Sequence, residues 1–142
     1  HPELVESRLD LAFMHLRQQC RKRTLVVIIT NLIDDHQAGQ LKSYATNLVG
    51  RHLPLVALLR DHEMFDPAEA VAIDTKTGDP VDLTVPAGVI FRAAAAADIL
   101  TWRHEALADM RHHGVLTLDL FPEELTAPLI NEYMRIKAMH LL

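Results

Sequence analysis

A chain of 142 residues with 49% hydrophobic side chains is the size of one domain and long enough to bury a real core. Net charge is −5, and of the 14 Lys and Arg residues only Arg21, Lys22 and Arg23 cluster, which excludes the broad basic footprint of a nucleic-acid binder. The lone Cys20 excludes an internal disulfide and a cysteine-rich zinc site and fits a reducing compartment, and no apolar run approaches the roughly 20 residues that cross a bilayer.

Pro2 and Glu3 suit the first turn of a helix, where a missing N–H costs nothing and negative charge meets the positive end of the dipole. Val5, Leu9, Ala12, Leu16 and Cys20 follow at helical spacing, and Arg21, Lys22 and Arg23 close that helix with cations at its negative end. From Thr24 to Asp35 the sequence TLVVIITNLIDD is a β-favouring run that enters a polar corner without a break. Its lack of alternation predicts a central strand buried on both faces. Ligands of open parallel sheets sit at the carboxyl ends of strands, so the corner holding Asn31, Asp34 and Asp35 is the first place to expect chemistry.

A second helix is expected from Gln37 to His52, with Asp34 or Asp35 as its N-cap, Leu41, Ala45 and Leu48 facing inward, and His52 as a hydrogen-bonded core histidine. Leu53 to Arg60 is a second continuous apolar strand, parallel to the first through a right-handed crossover. Asp61 to Ala72 reads as a corner and a short helix opening near Pro67, and Ile73 to Pro86 as a turn-rich surface excursion with an irregular hairpin. A long helix over Gly88 to His112 presents Leu100, Leu107 and Met110 inward, with Trp102 at the margin of the stripe. Gly114 suits the position after its end, and Val115 to Leu120 is a third strand. Pro122, Glu123 and Glu124 mark an acidic helix start, Thr126 with Pro128 offers another cap, and Leu125, Leu129, Tyr133 and Ile136 make the apolar face of the last helix.

The order α-β-α-β-α-β-α describes a three-layer α/β/α domain with a parallel sheet, half of a doubly wound, Rossmann-type arrangement. Strands added in one direction contain no point at which the strand order reverses, so the first strand is expected to present an unpaired apolar edge. With His1 as the first residue, the expectation is a carboxyl part of a larger α/β domain without its amino-terminal strands, its edge covered by a preceding segment or a second copy.

The segments TLVVIITNLID, LPLVALLRD and EALADMRHHGVLTLDLFPEELTAPLINEYMRIKA together resemble the carboxyl part of the bacterial family called domain of unknown function 58, whose members carry a von Willebrand factor A-like domain. The resemblance runs from about Glu6 to Leu142, and its most specific part is the final helix with EEL, Pro128 and NEYMRIKA. It implies a protein-interaction module in a cytoplasmic assembly with a MoxR-type AAA ATPase, in a parent often anchored to the membrane upstream. Such domains often bind Mg²⁺ through an Asp-x-Ser-x-Ser motif on the first strand, a Thr on a later loop and an Asp ending the fourth strand. On this resemblance Thr24 to Thr30 is the fourth strand, and Asn31 stands where the family pattern has that Asp. Asn31, Asp34 and Asp35 are then the candidate ligands of an incomplete metal site, completed only in a full-length parent. A neutral amide oxygen binds a hard cation less well than a carboxylate.

The alternative is a small hydrolase or phosphotransfer domain using Asp34, Asp61 and Asp119 at the carboxyl edge of the sheet, although no Lys matches the one that receiver domains place at a strand end. Among nine histidines no pair has the helical spacing for joint ligation, and adjacent His112 and His113 are expected to point apart. Five glycines supply neither a phosphate loop nor a G-x-S-x-G elbow.

Overall fold

The computed structural model describes residues 8–31, 35–62 and 87–142, with the side chains of Ala87, Val89 and Ile90 left aside. The expected helix start at Pro2 and Glu3, the corner residue Asp34, the short helix near Pro67 and the hairpin of Ile73 to Pro86 lie outside these residues. Within them the elements are helix α1 (Leu9–Gln19), strand β1 (Leu25–Thr30), helix α2 (Asp35–Leu48), strand β2 (Leu53–Leu59), helix α3 (Ala87–His112), strand β3 (Leu116–Leu120), a 3₁₀ turn (Pro122–Glu124) and helix α4 (Thr126–Ala138). The strands form a parallel sheet in the order β1-β2-β3. This is a three-layer α/β/α, Rossmann-like half-domain. No helix among the described residues is long and apolar enough to cross a membrane.

β2 is the central strand, paired with β1 on one side and β3 on the other. Leu53 through Leu58 are all buried, so this strand is apolar toward both layers of helices. Val56 and Leu58 face α2 and α3, where Leu41 and Ala45 of α2 join Leu107 and Met110 of α3 and Val115 in one cluster. Ile28 of β1 and Trp102 of α3 pack against its margin, the latter as expected. Leu55 and Ala57 point to the opposite layer and are fully buried as well. α4 supplies its one fully buried residue, Ile136, outside the first cluster. Arg23 Nε donates to Leu141 O at 2.8 Å and so ties the end of the chain to the approach of β1.

Several local expectations are corrected by tertiary context. β1 is not buried on both faces, since Val27 and Ile29 stand 38% and 49% exposed; among the described residues it is the edge strand that the one-directional strand order leads one to expect. α1 turns Phe13 inward, stacked on Tyr44 of α2 with centroids 4.8 Å apart, while Ala12 faces solvent. The helix ends at Gln19, so the basic trio lies beyond it and Arg23 serves the chain terminus instead. α2 ends at Leu48, which leaves His52 outside the helix, and Asp35 is its first helical residue rather than its cap. His52 is buried as expected, yet neither ring nitrogen has a hydrogen-bond partner among the described residues. Tyr133 lies on the exposed flank of α4, with Lys137 Nζ 5.8 Å from its ring centre, and Thr126 makes no capping bond.

Gly114 behaves as its position requires. Its φ is +87°, and the bond from Val115 N to Met110 O turns the chain from α3 directly into β3.

Candidate functional site

The carboxyl ends of the parallel strands bring Asn31, Arg60, Asp61, His62 and Phe121 to one edge of the sheet. Because side chains alternate and paired positions in a parallel ladder share a face, Leu58 and Asp119 both point to the side of α2 and α3. Asp119 there meets two guanidinium groups. Arg60 reaches its oxygens at 3.2 and 3.4 Å, and Arg103 of α3 donates to Oδ1 at 3.0 Å. Arg103 also donates to the carbonyl of Leu59 at 2.8 Å, and the backbone N–H of Arg60 donates to Leu120 O at 2.8 Å. One carboxylate therefore joins the ends of β2 and β3 to the middle of α3.

Arg103 is the residue that inspection of the sequence missed. It is 1% exposed and lies on the inward stripe of α3 between Leu100 and Leu107, at the spacing of a core position. A cation at such a position is rarely fully buried unless paired, and that was the readable signal. Its aliphatic stem continues the stripe while its head reaches the strand end, where a carboxylate waits.

Outside this cluster a second set of contacts joins the same two loops. His62 Nε2 bonds Glu123 Oε1, the His62 ring stacks on Phe121 with centroids 4.0 Å apart, and the Arg60 guanidinium lies 5.6 Å from the centre of the Phe121 ring. The carboxyl of Glu123 is held below its ordinary range, first by its own backbone N–H at the start of the 3₁₀ turn and then by His62.

The residues singled out from sequence fall differently. Asn31 and Asp35 are exposed at the end of β1 and the start of α2, and Asp34 lies outside the described residues. Among the described residues, no group of three or more His, Cys, Asp or Glu side chains is placed to hold a metal ion. Of the carboxylates expected at the carboxyl edge, Asp61 is exposed and Asp119 is engaged by the two arginines. His112 and His113, expected to point apart, lie edge to face with centroids 5.8 Å apart, and His113 Nδ1 bonds Asp109 O. Cys20 is a free, half-buried thiol.

Asp119 accepts from both guanidinium groups, and the cluster ties the ends of β2 and β3 to α3. Comparison with family models, with curated proteins and with solved structures finds no match to this chain.

Proposed function

We propose that this chain is a protein-interaction module of the von Willebrand A-like kind found in the family called domain of unknown function 58, working in a cytoplasmic assembly with a MoxR-type AAA ATPase. The observation that carries the interaction reading is the outer edge of β1. Among the described residues no strand pairs it, and its LVVIIT sequence contains no charge, proline or glycine of the kinds that natural edges use against pairing. Val27 and Ile29 project from the same face of this strand and are exposed, so an added strand gains main-chain hydrogen bonds together with apolar contact.

In a solution of this chain alone the occupant is a second copy. Antiparallel pairing of β1 with its own equivalent is isologous, and it sets the exposed valine and isoleucine of both copies on one surface. In the assembly, the same edge presents the module to its partner. Asn31, Asp34 and Asp35 then form the border of a metal site that takes Mg²⁺ only where an acidic first strand is supplied beside β1.

Sedimentation velocity tests the reading. The 142-residue chain is expected to self-associate at micromolar concentration, and Val27→Lys with Ile29→Lys to return it to a monomer. The same double variant is expected to weaken binding to a MoxR-type ATPase. A monomeric wild-type chain that also leaves such an ATPase unbound would sink the proposal.

A further inference from the structure

On the opposite, amino-terminal side of β2, α1 and the second half of α2 enclose an open cavity of about 870 Å³. That is within the range of roughly 300–1,000 Å³ typical of small-molecule sites. We infer that this cavity is a binding site for a small organic anion with a flat apolar body, such as an aromatic carboxylate, recognised by Arg17, Arg51 and His52.

The walls supply both halves of that chemistry. Phe13 and Tyr44, stacked on each other at an interplanar angle of 6°, line one side of the space and make it aromatic. Arg17 at the end of α1 and Arg51 after α2 line the same space, and among the described residues neither guanidinium has a carboxylate partner. The lining carboxylate, Asp10, is already bonded by Arg8 through both oxygens, at 3.2 and 3.1 Å. The lining therefore keeps an excess of positive charge in a chain whose net charge is −5. Arginine favours planar, bidentate recognition of carboxylates, which sets the class of anion.

His52 gives the independent sign that a ligand is wanted. It forms part of the floor of the cavity and is 1% exposed, yet both of its ring nitrogens lack a partner among the described residues. A buried polar group left without a hydrogen bond costs stability and is uncommon in native proteins. Because His52 lines the cavity, a carboxylate bound there can accept from a ring nitrogen that has no partner among the described residues. Stability given up at a site is a frequent companion of binding.

The test is a titration of the isotopically labelled 142-residue chain with 1-naphthoate, followed by two-dimensional NMR, beside the neutral control 1-naphthalenemethanol. Saturable shifts at Phe13, Tyr44 and the His52 ring are expected with naphthoate, and binding about tenfold weaker for the alcohol and for Arg51→Gln or Arg17→Gln. His52→Leu is expected to weaken naphthoate binding while raising the denaturation midpoint, a pairing that a histidine with only a packing role would not produce. Val27→Lys is expected to leave the affinity unchanged, which separates this site from the β1 edge. Equal binding of acid and alcohol, arginine variants that bind as tightly as wild type, or shifts confined to β1 would each overturn the inference.

Discussion

Arg103 and Asp119 form the only contact in which a fully buried cation of α3 meets the end of a strand among the described residues, with Nη2 3.0 Å from Oδ1. The pair ties the long helix α3 to the carboxyl edge of the sheet at the ends of β2 and β3. Removing one member of such a pair leaves an uncompensated charge, whereas removing both need not. Asp119→Ala is therefore expected to destabilise the fold by roughly 2–4 kcal/mol, discounted from the fully buried case because Asp119 is 24% exposed. Urea unfolding should show the double variant Arg103→Met with Asp119→Ala to cost less than the sum of the single changes.

Neighbouring residues of β1 should respond in opposite ways. Ile28 packs against the main core cluster, and Ile28→Ala is expected to cost about 2–3 kcal/mol. Ile29 is 49% exposed, and Ile29→Lys should change the stability of the monomer by no more than about 0.5 kcal/mol. Thermal unfolding of the two variants at low protein concentration checks the face assignment.

Gly50 and Gly114 both adopt left-handed backbone, at φ +94° and +87°. They differ in surroundings: a Cβ at Gly50 meets nothing within 4 Å, while one at Gly114 lies 3.2 Å from Val49 Cγ1. Gly50→Ala should cost about 1 kcal/mol from the backbone alone. Gly114→Ala should cost measurably more in the same denaturation assay, because Val49 must also give way.

Acid should loosen two surface ties. Asp109 is held below the ordinary carboxylate range first by its hydrogen bond to Lys42, which joins α2 to α3, and by the positive charge of Lys42, His113 and His112. Glu123 is lowered by its own backbone N–H and by His62. A carboxylate with a depressed folded pKa stabilises the fold above its unfolded pKa, and the contribution is lost as pH falls through the folded value. Stability should thus be level on this account above about pH 5 and decline below about pH 4. Asp109→Asn and Glu123→Gln should each flatten that acid limb in a series of melts at decreasing pH.

The local sequence carried the succession of elements and the burial of β2, because unbroken apolar runs and helical periodicity are short-range properties. LPLVALLR can be stable only between two layers, and Leu41, Ala45, Leu107 and Met110 face the core as their spacing demands. The equally apolar run TLVVIIT is not buried on both faces, because β1 stands at the edge of the sheet among the described residues; that edge was legible in the one-way order of the elements and not in the run itself. The sites were the least legible part. Arg103 meets Asp119 across 16 residues and His52 meets the floor of a cavity between α1 and α2, and neither encounter leaves a motif. Periodicity determined which faces are apolar; only tertiary packing decided which charges are joined and which histidine has no hydrogen-bond partner among the described residues.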